Sequence, residues 1–126
     1  MQYDSIDGLD KKISKLIMGN DNQTDFDEAS KLWDHWIEVG GNAFDNAHVY
    51  GSGSMETLLG KWHRKRENLN DLVIIAKGAH TPNCDPKSLS QQLTESLDRL
   101  QIETADIYIM HRDNLSIPVD EFVDVL

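Results

Sequence analysis

The chain is short of cysteine, of basic residues and of long apolar runs, and each shortage excludes a class of protein. Cys84 is the only cysteine, so no internal disulfide can form. That fits a reducing compartment, and a cytoplasmic location is expected. No activating cluster surrounds Cys84 in sequence, so it reads as a loop residue and not as a reactive thiol. Lys and Arg number 12 against 22 Asp and Glu, giving a net charge of −10. A surface of that sign repels phosphate backbones and anionic bilayers, so neither nucleic acid nor a membrane is expected as a partner. No segment is long and apolar enough to span a bilayer. Met1-Gln2-Tyr3-Asp4-Ser5 has neither the basic start nor the apolar run of a signal peptide. Internal repeats and low-complexity tracts are also missing.

What remains is an ordinary globular composition, and 126 residues suit a single domain with a sizeable core. Ile13 to Met18 reads as a strand that stops at Gly19. Asp25 offers a helix N-cap, with Glu28 placed to complete a capping box. Phe26, Ala29, Leu32, Trp33, Trp36 and Ile37 follow at helical spacing until Gly40-Gly41. Ala43-Phe44-Asp45 is a short second strand. Met55, Leu58, Leu59 and Trp62 share one face of a second helix. Leu72 to Ala76 is a third strand, rich in β-branched residues. Asp85-Pro86 opens a third helix, whose buried stripe is predicted as Leu89, Leu93, Leu97 and Leu100. Ala105 to Met110 is a fourth strand. Pro118 opens a last helix, with Val119, Phe122, Val123 and Leu126 on one side.

Strand and helix alternate throughout, which implies parallel strands with helices packed outside. The pattern is α/β, of the (β/α)8 barrel type. Such a barrel takes roughly 250 residues, so residues 1–126 are expected to form its first half, about four strands, in a truncated chain. A small open α/β sheet, complete at this length, is the alternative.

Chemistry-bearing residues stand at or just past the ends of the apolar runs: Asp45, Tyr50, Lys77 and His111. Strand ends are where a parallel barrel places its reacting groups. Hydride reduction of a carbonyl needs a proton donor for the developing alkoxide. A tyrosine can donate, although an ordinary phenol titrates near about 10. An ammonium beside it favours the phenolate. A buried lysine needs an anionic partner to stay charged. A histidine can hydrogen-bond and orient the carbonyl oxygen. The four residue types close one chemical argument.

The same residues carry a family resemblance. Gly41-Asn42-Ala43-Phe44-Asp45-Asn46-Ala47-His48-Val49-Tyr50-Gly51 resembles the Gly-x-Asn-x-Phe-Asp-Thr-Ala-x-x-Tyr-Gly segment of the aldo-keto reductases. Gly53, Glu56 and Leu59-Gly60 fit its continuation. Ala76-Lys77-Gly78 is similar to the family's Thr-Lys strand end. Ser96-Leu97-x-Arg99-Leu100, Asp106-x-Tyr108 and His111-Arg112 are similar to a later block. The resemblance covers residues 13 to 126. It implies a nicotinamide cofactor, usually NADPH, with NADH as the alternative, and a small-molecule aldehyde or ketone as substrate. It implies Tyr50 as general acid, Lys77 as its tuner, Asp45 as the partner of Lys77 and His111 as substrate orienter. Gly19, Asn20, Asp21 and Asp45 match positions near the cofactor; His48, His80, His111 and Arg112 are expected at the substrate mouth. Asn46 and Ala76 replace threonines, and Met55 replaces a serine. These departures bear on substrate range more than on reaction type.

Other readings are weaker. His48, His80 and His111 follow successive strands, but no His-x-His pair or Cys joins them at ligand spacing, so no metal is expected. Trp33, Trp36 and Trp62 have the spacing of core residues and not of a base-stacking platform. His35 and His63 are expected on the surface, and Arg64-Lys65-Arg66-Glu67 as a solvated helix end. Gly51-Ser52-Gly53-Ser54 lacks the Lys-Ser or Lys-Thr of a nucleotide loop and reads as the loop that carries Tyr50. Cofactor and phosphate contacts in the family come largely from the second barrel half, so this chain alone is expected to be inactive. A non-catalytic, cofactor-sensing regulatory member of the fold is the main rival. Self-association through open sheet edges is a second.

Overall fold

Val73-Ile74-Ile75-Ala76 is the most continuously apolar run in the chain, and it becomes a strand buried on both faces. The computed structural model describes all residues, Met1–Leu126. Its elements, in chain order, are β1 (Tyr3–Asp4), β2 (Ile13–Ser14), β3 (Met18–Gly19), α1 (Phe26–Glu38), β4 (Ala43–Asp45), α2 (Ser54–Arg66), β5 (Val73–Gly78), α3 (Pro86–Leu100), β6 (Ile107–Met110) and α4 (Val119–Val123), with 3-10 turns at Tyr50–Gly53 and Leu69–Asp71. Strands β3, β4, β5 and β6 lie side by side in that order, all parallel.

Register and side-chain alternation decide which residues meet. Phe44 pairs with Ile74, Asp45 with Ile75, Ile75 with Ile107 and Lys77 with Ile109. Because successive side chains alternate between faces, Phe44, Ile74, Ala76 and Tyr108 turn to the helices. There they join Ala29, Trp33, Leu59, Trp62, Leu72 and Leu100 in the main core. Ala43, Val73, Ile75 and Ile107 turn to the other face and pack with Ile13 and Leu9. Asp45, Lys77, Ile109 and His111 belong to that second face, at the carboxyl ends of the strands.

The tryptophans are structural. Trp33, Phe44 and Trp62 pack edge-on or tilted with centroids 5.6–6.4 Å apart, and Trp62 donates to Asp34 at 2.9 Å. Arg66 also reaches Asp34, while Arg64, Lys65, Arg66 and Glu67 all stay exposed as the solvated end of α2.

Several sequence expectations are corrected. The run from Ile13 to Met18 is not one strand. Ser14 donates through Oγ to the Leu16 carbonyl, and its amide is taken by Asn42 Oδ1. These bonds turn the chain, so Ile13–Ser14 pairs antiparallel with Tyr3–Asp4 and only Met18–Gly19 enters the parallel sheet. Gly19 is the last residue of that strand. Asp25 caps α1 through the amides of Asp27 and Glu28, but Glu28 bonds Lys31 instead of closing the box. On α3 the fully buried positions are Leu89, Gln92, Ser96 and Leu100, while Leu93 and Leu97 are half-buried at the flank. His63 is buried, not on the surface, and donates through Nε2 to the Leu100 carbonyl at 2.6 Å. On the last helix Phe122 is buried, while Val119, Val123 and Leu126 are exposed.

Candidate active site

Asp45 is the last residue of β4, Lys77 stands near the end of β5, and His111 follows β6 directly. Ladder-like bonds continue past the strands and fix the connecting chain. Asn46 N–H donates to the Ile75 carbonyl, His48 N–H to the Lys77 carbonyl and His111 N–H to the Gly78 carbonyl. Tyr50 sits in the short turn after β4, where Gly51 and Ser52 both take the left-handed conformation at φ 54°. A serine there is uncommon, and its backbone must be held by its surroundings.

The four expected groups converge. Lys77 Nζ donates to Asp45 Oδ1 at 2.6 Å and Oδ2 at 2.5 Å, and to Tyr50 Oη at 3.0 Å. The lysine side chain is only 14% exposed, against 32% for Asp45, so the pair is shielded but not sealed. Burial pushes the ammonium down, yet the hydrogen bonds and charges of Asp45 and Tyr50 outweigh it and hold Lys77 above the ordinary lysine value. Lys77 thus stays charged. The His111 ring stands edge-on to Tyr50, with centroids 5.8 Å apart, and to His80 at 4.7 Å. Burial, followed by the charges of Lys77, His80 and Arg112, lowers the His111 pKa, with Asp45 opposing. Its imidazole is neutral at neutral pH, and its Nδ1 is buried without a partner.

The other expected site residues divide. His80 joins the cluster, and Arg112 is exposed on the segment after β6. His48 lines a cavity together with His80, and its Nε2 lies 2.6 Å from Glu95 of α3. That carboxylate is a strong partner for a half-buried imidazole. Gly19 is exposed, with open space where a Cβ would stand, and Asp21 is exposed. Asn20 is buried, donates to Asn46 and the Met55 carbonyl, and leaves its Oδ1 unpaired. An open glycine, an orphan amide oxygen and the Asp45 carboxylate at adjacent strand ends suit the approach of a planar polar ring such as a carboxamide-bearing nicotinamide. No group of three or more His, Cys, Asp or Glu side chains converges as a metal site.

Three residues support the site in roles the sequence did not assign them, although Asn46 and Arg99 stand in its motifs. Gln92 Oε1 accepts the Ala79 amide at 2.8 Å, in a turn where Ala79 takes φ 58°. Asn46 bonds Asn20 and the carbonyls of Phe44 and Ile75. Arg99 bonds the fully buried Glu56 and the His48 carbonyl. The signal for Gln92 was its position: it lies three residues after Leu89, on the stripe that faces the sheet.

Comparison with known proteins gives a consistent picture. The family model described as "Aldo/keto reductase family" matches residues 15–126. A probable voltage-gated potassium channel subunit beta of Oryza sativa is 32% identical over 98% of this chain and 41% of that protein. An uncharacterized oxidoreductase of Bacillus subtilis, YrpG, is 27% identical over 96% of this chain and 43% of that protein. Among solved structures, the holo form of an aldo-keto reductase from Bacillus halodurans superposes with a TM-score of 0.84 at 25% identity, over 99% of this chain and 45% of that one. The chain therefore spans somewhat under half the length of these relatives.

Proposed function

The chain belongs to the aldo/keto reductase family of oxidoreductases, with the fold of the first half of its barrel, and from that premise we propose that it serves the NAD(P)H-dependent reduction of an aldehyde or ketone to an alcohol. The observation that carries this reading is the single ammonium of Lys77 bonded at once to both Asp45 oxygens and to the Tyr50 phenol. When bound, the nicotinamide cofactor supplies the hydride that reduces the carbonyl carbon. Tyr50 Oη donates its proton to the carbonyl oxygen. Lys77 stabilises the phenolate left behind, and Asp45 keeps Lys77 charged. The neutral His111 imidazole aligns the carbonyl oxygen, with His80 and Arg112 at the rim of the same mouth. Gly19, Asn20, Asp21 and Asp45 are the residues of this chain that would hold the nicotinamide end. NADPH is the cofactor we assign, with NADH its competitor.

The 126-residue chain by itself is expected to show no measurable NADPH oxidation with aldehyde substrates, whereas a form extended to its relatives' length turns them over. Robust turnover by the shorter chain overturns the first half of that statement. In the extended form Tyr50→Phe should lower kcat by about 10²–10⁴-fold, the range of general acid catalysis. Reduction at the parental rate would remove Tyr50 from its role.

A regulatory subunit is the second reading, supported by the 32% identity to a potassium channel subunit beta. Cofactor binding by the extended form without turnover of any carbonyl compound would favour it. Association through the sheet edges at β3 and β6 is a further proposal; a strictly monomeric light-scattering mass counts against it.

A further inference from the structure

We propose that Arg99 is the positioning residue of this site: its guanidinium ties the segment that carries Tyr50 to α3, and so sets where the phenol oxygen stands relative to Lys77. The inference rests on the reading of Tyr50 as the proton donor.

The strands fix Asp45 and Lys77, but Tyr50 sits on a turn outside the sheet. Both ends of that turn rest on one side chain. Arg99 Nη1 donates to the His48 carbonyl at 3.2 Å, two residues before Tyr50. Three residues after it, Gly53 has φ +91° and passes so close to the Arg99 guanidinium that any Cβ would collide with it. Between them Gly51 and Ser52 hold the left-handed backbone that swings Tyr50 toward Lys77. Arg99 is itself fixed. Its Nη1 also donates to Glu56 Oε2 at 3.2 Å, and its Nη2 lies 3.5 Å from Glu95. Glu56 is fully buried with its other oxygen unpaired, and Arg99 is the donor to the oxygen that is paired. Glu95 in turn bonds His48 Nε2 at 2.6 Å, a second tie from α3 to the same segment. The Lys77–Tyr50 bond is 3.0 Å long, and a drift of about 1 Å would take it out of hydrogen-bond range.

The competing explanation is that Arg99 only neutralises Glu56. Lysine at position 99 separates the two. An ammonium satisfies the carboxylate, but it has no second nitrogen in a fixed plane to lie beside Glu95 while the first serves Glu56 and the His48 carbonyl.

The test uses the 126-residue chain labelled with 3-fluorotyrosine. Its three tyrosines, Tyr3, Tyr50 and Tyr108, are assigned by Tyr→Phe variants. The quantity read is the displacement of the Tyr50 ¹⁹F resonance caused by Lys77→Met. It is measured in the parent, in Arg99→Lys, and in Arg99→Met/Glu56→Gln, which removes the arginine together with its buried charge partner. The Lys77-dependent displacement should be clear in the parent and fall by at least half in both backgrounds. Tyr108, whose hydroxyl donates to the Leu89 carbonyl of α3, should keep its resonance and so report an intact fold. An undiminished displacement in both backgrounds overturns the proposal, as does no displacement in the parent. Loss of the Tyr108 resonance in both backgrounds overturns it too, because Arg99 would then hold the fold and not the phenol. Failure of the Tyr50→Phe turnover test would remove the proton-donor role and leave this readout standing.

Discussion

Asp45→Asn isolates the interaction on which the site's charge depends. The side chain keeps its shape and one acceptor oxygen, but the ammonium of Lys77 loses its counter-charge. In the parent the two oxygens accept at 2.6 and 2.5 Å, a distance at which the bare Coulomb attraction is about 6 kcal/mol at an effective dielectric of about 20. Most of that is offset by desolvating the lysine, whose side chain is 14% exposed. Breaking a sealed pair costs about 3–5 kcal/mol, and an exposed pair is worth about 0–1. The intermediate burial places Asp45→Asn at about 1–3 kcal/mol of lost stability at pH 7. The sign of the pH dependence follows from the raised Lys77 value in the parent. A group whose pKa is raised by folding stabilises the fold below its unfolded value, and that contribution fades as pH climbs through the folded value. The gap between parent and variant should therefore be full at pH 7 and narrow above about pH 10.4, the ordinary lysine value. Urea unfolding of both chains at pH 7 and at a series of alkaline pH values measures it. Taking the difference cancels groups common to both, such as the other tyrosines. A gap under about 0.5 kcal/mol at pH 7, or one unchanged at alkaline pH, would refute the reasoning.

Two further expectations follow from the core. Trp62 is fully buried against Trp33 and Phe44, so Trp62→Ala should cost about 3–5 kcal/mol in urea unfolding; a loss under about 1 kcal/mol would show that the site collapses around the cavity. Burial, with Arg64 adding and the Leu100 hydrogen bond opposing, holds His63 below the ordinary imidazole value. Below about pH 6.5 the unfolded chain then binds more protons than the folded one, so stability falls as pH drops from 7.5 to 5. His111 contributes with the same sign, and His63→Gln should lose less over that interval than the parent does; an equal loss would clear His63.

Much of the fold was legible because its signals are local. Asp25 and Asp85 cap α1 and α3 as their sequence context indicates. The apolar run at Val73 makes the strand it promises, although two residues longer at its end. The errors share one cause. Ile13–Met18, the α3 stripe and His63 are each settled by a partner distant in sequence: Asn42 for Ser14, the Ala79 amide for Gln92, the Leu100 carbonyl for His63. Periodicity records where a side chain points. It does not record that a buried glutamine or histidine has found its hydrogen-bond partner, which is what makes such burial affordable.

By itself the sequence determined the alternation of strand and helix, the place of Asp45, Lys77 and His111 at or just past strand ends with Tyr50 in the turn after one, and the acidic balance. Those are properties of short windows and of composition. Only the tertiary structure decided that one ammonium meets both a carboxylate and a phenol, that His48 turns to Glu95, and that Arg99 reaches across to the Tyr50 turn. Each of these depends on register between strands and on helix packing against the sheet, where a displacement of about 1 Å makes or breaks a hydrogen bond.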